Sequence, residues 1–231
     1  MTSKVSHDYV ALPPRSAMVR VWSPLIRIGH WTLVAAFAIA YLTEDDLLQV
    51  HTWAGYVAAG AVSVRLLWGV VGPAQDRFSR FLRPPGEVFR YLADAVRFRS
   101  PRYIGHSPAG AAMALALLLS MAATTGTGMV TLAQSRDAGP LAPWFGRSAG
   151  QAAVTLVSPA WAGDHGREKE HHGGEGGEHP KSAMKDVHEF FANLTLVLLF
   201  LHVGGVALAS VSHRENLVRS MVTGDKRADP S

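Results

Sequence analysis

The sequence predicts an all-α integral membrane protein, a four-helix bundle with an amphipathic surface helix and a long outer loop. Three observations carry that prediction. Four long apolar stretches, Pro24–Leu42, His51–Val71, Pro108–Ala133 and Val187–Val211, each reach the length of about 20 residues that a helix needs to cross a bilayer. Lys and Arg are unevenly shared among the segments between them. Histidines lie inside three of the stretches, where an ionisable group is costly and marks function.

Composition narrows the classes. The 231 residues contain no cysteine, so structural disulfides, thiolate metal sites, iron–sulfur clusters and covalent CxxCH haem attachment are excluded. The net charge of +4 is not a nucleic-acid signal, because the basic residues follow membrane topology. Lys4, Arg15, Arg20 and Arg27 precede or open the first span. Arg77, Arg80, Arg83, Arg90, Arg97, Arg99 and Arg102 fill the second connection, and Arg214, Arg219, Lys226 and Arg227 the tail. The first connection, TEDDLLQV, has none. By the positive-inside rule both termini are expected to be cytoplasmic, with the chain crossing the membrane several times. The first span lacks an A-x-A-like site and leads into an acidic turn, so it is not read as a cleaved signal peptide.

Residues 1–22 read as a cytoplasmic arm, 23–213 as the transmembrane domain and 214–231 as a cytoplasmic tail. Span one starts at Ser23-Pro24, with Ser as cap and Pro in the first helical position. Span two is expected to begin in the acidic turn, since Thr43 and Asp46 have capping-box spacing, and to end at Gly72-Pro73. Within the second connection, GEVFRYLADAVRF puts Val88, Leu92 and Val96 in one stripe beside Phe89, with arginines opposite. That predicts a helix over about 86–99 lying on the inner membrane surface. Span three begins at Ser107-Pro108 and is rich in Ala, Gly, Ser and Thr, which suits close helix packing. The outer connection, about 134–183, is moderately apolar in its first half. The second half, DHGREKEHHGGEGGEHPK, is low-complexity and expected to be disordered.

His188 and His202 stand fourteen residues apart in the last span. At about 100° per residue they fall about 40° short of four turns, so both share a helix face, with an axial rise of about 21 Å between them. His51 lies near the outer start of span two and His30 near the inner start of span one. Matching depths pairs His51 with His188 outside and His30 with His202 inside, with His202 several Å deeper than His30 by this count. Neutral imidazole is a good haem-iron ligand and a low-spin electron-transfer haem takes two. The four histidines therefore predict two stacked, non-covalent haem b groups.

Other candidates have competing readings. HEFFA is not a zinc-protease motif, because Ala192 stands where HExxH needs its second His. His213, eleven residues after His202, is an alternative inner ligand. His106, before Pro108, and His213 are also placed to meet a haem propionate or a quinone headgroup. Arg65, fourteen residues after His51, either pairs with a propionate or snorkels to headgroups. For Arg27 snorkelling is the favoured reading. His165, His171, His172 and His179 sit in glycine-rich sequence without preformed geometry and read as a solvated linker with adventitious metal affinity.

The stretches VWSPLIRIGHW, HTWAGY with RLLWGVVG, YIGHSPAGA, and HEFFANLTLVLLFLHVGGVALASVSHRENLV resemble the bacterial cytochrome b561 and nickel-hydrogenase b-type cytochrome superfamily, over about two-thirds of the chain. The resemblance implies a four-helix membrane bundle with two b-haems on His30, His51, His188 and His202. Ser107 stands where one branch has Asn, and the His/Gly/Glu-rich insert is outside the family pattern. It further implies a membrane-bound electron-transfer protein of the respiratory type rather than a classical substrate enzyme. Such a protein passes electrons between the quinone pool and a periplasmic redox partner, here a c-type cytochrome by the look of the tail. A superoxide oxidase or a hydrogenase cytochrome subunit is the alternative within that class. A metal-ion transporter or sensor using the His-rich loop is the alternative outside it. Beyond Glu189 and Asn193, both near the outer end, span four lacks the polar path such a transporter needs.

Overall fold

A computed structural model of the chain describes residues 18–44, 47–74, 76–147 and 183–228. The arm before Met18, Asp46 of the expected capping box, and the four loop histidines lie outside the described residues. The architecture is an all-α membrane bundle with four helices long and apolar enough to span a bilayer. One short β-ladder is added to it.

Helix α1 (Pro24–Leu42) begins as expected, with the Ser23 hydroxyl accepting from the Ile26 amide at 3.5 Å and Pro24 in the first turn. The capping box expected to open the second span is not seen. Helix α2 (Leu48–Val71) starts from Leu47 without a side-chain cap. Thr43 instead closes α1, its hydroxyl donating back to the Ile39 carbonyl at 2.7 Å. That local bond four residues back is one a threonine finds readily at a helix end. Two helices follow, α3 (Phe78–Phe81) and α4 (Pro85–Val96). In α4 the buried anchor is Tyr91, packed edge-on against Tyr103. Phe89, Leu92 and Val96 point away from the protein, the face a surface helix offers to lipid.

Helix α5 (Pro108–Arg136) is capped by Ser107, which accepts from the Gly110 amide at 3.1 Å. It outlasts its apolar stretch and stops only where Asp137 turns left-handed at φ 53°. After α6 (Ala142–Phe145) the chain is next described as α7 (Ala183–Ser212), again longer than the apolar run within it. Apolarity marks the depth of hydrocarbon, whereas the helix itself continues until a backbone break.

The bundle is built from two close pairs. Helices α1 and α2 form a hairpin, and α5 packs along α7. A core of Ala36, Ala58, Val62 and Met121, flanked by Leu33, Phe37 and Leu66, joins α2 to α5 and α1. Small residues let these backbones approach where lipid provides no hydrophobic drive. By contrast α7 has little direct backbone packing against α1 or α2. A gap separates them, and histidine side chains reach across it.

The two ends of the described chain meet. Strand β1 (Met18–Arg20) pairs antiparallel with β2 (Asp225–Arg227) after the short helix α8 (Leu217–Thr223). The sequence reading assigned no strand to either segment. Left-handed Arg214 ends α7 and lets the Glu215 amide reach the Ser210 carbonyl at 3.0 Å. This turns the Glu215 carboxylate onto Arg102, with contacts of 3.1 and 3.3 Å, and onto Lys226 at 3.7 Å. All three side chains are largely buried. Burial works to raise Glu215, but the Arg102 hydrogen bond and the Lys226 charge outweigh it and hold the carboxyl below the usual carboxylate range. Burial holds the Lys226 ammonium below its ordinary range.

Replacing Glu215 with Ala strands two buried cations. The expected loss is on the order of 3 kcal/mol, read as a lowered Tm of the purified protein. Glu215→Asp recovers part of it.

Candidate functional site

The gap between α7 and the α1–α2 hairpin is spanned at two levels by histidine pairs. His51 of α2 faces His188 of α7 with ring centroids 6.1 Å apart and planes at 87°. His30 of α1 faces His202 of α7 at 6.3 Å and 54°. The second pair closes despite the depth mismatch in the residue count, and the two levels lie along one face of α7.

The spacing has a simple chemical meaning. A metal–imidazole bond of about 2 Å on each side, plus about 1.1 Å from each nitrogen to its ring centre, puts the centroids about 6.2 Å apart. Both pairs therefore have the separation of two imidazoles sharing one metal ion. Each level offers two ligands only. Among the described residues no group of three or more His, Asp or Glu is arranged to hold an ion by itself. A metal held between such a pair would take its remaining ligands from a bound group, as a porphyrin would supply them. Gly55, one turn on from His51, and Gly205, one turn on from His202, would each place a Cβ in open space. Neither glycine therefore meets a neighbouring side chain beside its histidine.

Hydrogen bonds set the tautomers at the first level. His51 Nδ1 lies 2.8 Å from the Ala40 carbonyl, and His188 Nδ1 lies 2.9 Å from the Thr124 carbonyl. A carbonyl can only accept, so both Nδ1 atoms carry the proton and both Nε2 lone pairs are free to ligate. At the second level His30 Nδ1 is buried with no hydrogen-bond partner. Trp31 stands edge-on to its ring at 5.2 Å.

The other candidates gather at the termini end of the bundle, where the described chain begins and ends in the paired strands β1 and β2. Arg65 is engaged by its own turn, donating to the Asp76 carbonyl at 3.4 Å and stacking over Phe78 at 4.8 Å. Asp76 is buried and its carboxylate accepts from Trp68 Nε1 at 2.9 Å. His106 stands edge-on to Trp22 at 4.7 Å. Burial first, then the Arg65 charge, push His106 down to about 4. His213 does not join His202. It lies beside Lys226, Arg102 and Glu215, and burial together with the two cations holds it below its usual range. Arg27 does not snorkel freely, since its Nη1 donates to the Val222 carbonyl. Its Nε is buried without a partner. Arg27, Ile28, Trp31, Thr32, Ala35 and Val222 line an open cleft of about 500 Å³ beside the second histidine level.

The sequence reading missed the partners of Arg27 and Arg65 and the Glu215 cluster, since each joins residues far apart or through backbone carbonyls. It read the Thr/Gly run of α5, TTGTG, as packing alone, although that run touches His188.

A four-span bundle crossed by two histidine pairs at the spacing of imidazoles that share a metal matches a membrane cytochrome of the b type. The family model for prokaryotic cytochrome b561 matches residues 21–224, and the chain belongs to that family. No curated protein and no solved structure matches it. Family membership makes it a multi-pass bacterial membrane protein that binds b-type haem and works in electron transfer.

The low pKa of His106 has a sign. The folded state keeps the ring neutral while the unfolded chain takes up a proton near pH 6.5, so the contribution is fully present above that pH and is lost as pH falls towards 4. At about 1.4 kcal/mol per unit the shift is worth about 3 kcal/mol. Thermal unfolding between pH 7 and 4.5 should show a falling Tm, and His106→Gln should flatten that fall.

Proposed function

We propose that this chain is a di-haem electron-transfer cytochrome in which His51 and His188 ligate one haem and His30 and His202 the other. The observation that carries it is the pair of centroid separations, 6.1 and 6.3 Å, across a gap that helix packing leaves open. Bound haem supplies reversible one-electron exchange at its iron. The polypeptide supplies ligands in the right tautomer, a fixed spacing along α7 and exclusion of water by lipid and apolar side chains.

The orientation follows from charge. Arg77, Arg90, Arg97, Arg99 and Arg102 share the termini end with Arg214 and Arg219, whereas Glu44, Asp186 and Glu189 lie at the other. The positive-inside rule makes the termini end cytoplasmic, the His30–His202 level inner and the His51–His188 level outer.

The cleft beside Trp31 supports quinone exchange at the inner side. Its walls are mostly apolar and Trp31 contacts His30 directly. Arg27 lines the cleft and supplies a positive charge for a quinone oxygen. The redox partner then works from the periplasm, and we assign it to the c-type cytochrome class. In this reading electrons pass between the quinone pool and that partner, with one proton-coupled and one proton-free side.

The assignment is tested by haem counting. Purified protein should hold two b-haems. His51→Ala or His188→Ala should remove one, and His30→Ala or His202→Ala the other, seen as different halves of the reduced-minus-oxidised spectrum. Two haems in all four variants would sink it. Filling the cleft with Ala35→Trp should slow reduction by quinol about tenfold with haem content unchanged. A cysteine at Gly174 should react with an impermeant thiol reagent in intact cells. Labelling only after lysis would reverse the orientation.

A further inference from the structure

We propose that Gly128 and the buried hydroxyls of Ser120, Thr124 and Thr195 are positioning residues for His188, fixing its tautomer and ring plane and thereby the redox potential of the centre it ligates. The proposal rests on the ligand reading of His188 above.

Thr195 stands seven residues from both His188 and His202, about 20° short of two turns from each, so it shares their face of α7 midway between the two levels. It is 2% exposed. Its hydroxyl lies 2.7 Å from Ser120 Oγ and 3.2 Å from Thr124 Oγ1, across the α5–α7 seam. Each hydroxyl has one proton to give. Thr195 donates to the Phe191 carbonyl at 2.8 Å and Thr124 to the Ser120 carbonyl at 2.9 Å. Ser120 then donates to Thr195, and every proton is used. The cluster holds α5 and α7 in one register where lipid offers no polar substitute.

The same Thr124 carries the acceptor for the imidazole. His188 Nδ1 donates to its carbonyl at 2.9 Å, and the Thr127 hydroxyl lies 3.1 Å from that carbonyl and 3.4 Å from the ring nitrogen. Thr124, Thr125 and Thr127 all bond back to carbonyls four residues earlier, a pattern that bends helices. Gly128 completes the seat. A Cβ there would come within 2.9 Å of His188 Cε1 and 3.2 Å of Nδ1, against the imidazole rather than a flexible chain end. Only glycine lets the ring lie this close to α5. A Gly/Thr run in mid-helix is poor for helix stability, and this contact accounts for it.

The His30–His202 level has no such seat on His30, whose buried Nδ1 lacks a partner. An Nδ1–H bonded to a carbonyl raises the basicity of Nε2 and favours the oxidised metal. Loosening the seat must therefore raise the potential of the His51–His188 centre and leave the other unmoved.

The test uses the full-length holoprotein in detergent or nanodiscs, with potentiometric titration, low-temperature EPR and haem counting. His188→Ala identifies which signal belongs to this level. Thr195→Val and the milder Ser120→Ala should keep two haems, raise the potential of that centre and move its low-spin signal. Thr195→Ser should restore both. Gly128→Ala should abolish the low-spin signal of that centre or cost one haem. Wild-type potentials and signals in Thr195→Val, Ser120→Ala and Gly128→Ala would overturn the proposal, as would equal shifts at both centres. Loss of one haem in His188→Ala alongside silent seat variants would overturn the seat alone. Two haems retained in His188→Ala would overturn the ligand reading with it.

Discussion

The structure depends on one constraint: α7 is held tightly against α5 and kept away from α1 and α2. Inside a bilayer there is no hydrophobic drive for helices to close on one another, so a gap persists only if close packing elsewhere fixes the spacing. Two seams do this. Small residues around Ala36, Ala58 and Met121 weld the α1–α2 hairpin to α5. The Ser120–Thr124–Thr195 hydroxyls weld α5 to α7. With both fixed, the distance from α7 to the hairpin is set by α5, and imidazoles on either side meet at one spacing at two levels. An aliphatic pair at either level would leave the gap without chemistry.

Much of this was legible in the sequence because it is periodic or local. The four spans follow from runs of apolar residues, the Ser23 and Ser107 caps from Ser-Pro at helix starts, and the pairing of His51 with His188 from depth along a 1.5 Å rise. What was illegible is long-range. Nothing local in Met18–Arg20 says that it pairs with Asp225–Arg227. Arg27 and Arg65 bond to backbone carbonyls, which carry no residue identity and leave no sequence mark. Thr43 shows the converse error. Its spacing to Asp46 suggested a cap for the second span, but the hydroxyl found the Ile39 carbonyl behind it first. The TTGTG run looked like packing because Gly and Thr serve helix seams everywhere. Only the position of His188 shows that the missing Cβ matters.

The two ends of the bundle differ in how they treat charge. At the termini end, Arg102, Glu215 and Lys226 are buried in a compact network, with His106 and His213 kept neutral beside it by burial and by the same cations. A network this desolvated is costly to build and more costly to break by halves. Its place explains why the tail folds back. The β1–β2 ladder puts Lys226 over Glu215, and left-handed Gly224 at φ 89° lets the strand turn in against Arg27. The tail is thus a lid on the bundle rather than a free appendage.

That lid bears on the proposed redox asymmetry. The buried cations lie at the end of the bundle nearer the His30–His202 level, a charge that would favour the reduced, more electron-rich state of a group held there. The opposite level has acidic neighbours in Glu44 and Glu189 and imidazoles whose Nδ1 protons are held by backbone carbonyls, both of which favour the oxidised state. The charge distribution and the hydrogen-bond distribution therefore point the same way. In the assignment proposed above, an electron is held more tightly at the level beside the Arg27–Trp31 cleft than at the level beside the acidic turn. On that assignment, the positive residues that favour a cytoplasmic termini end are also those nearest the centre biased towards reduction.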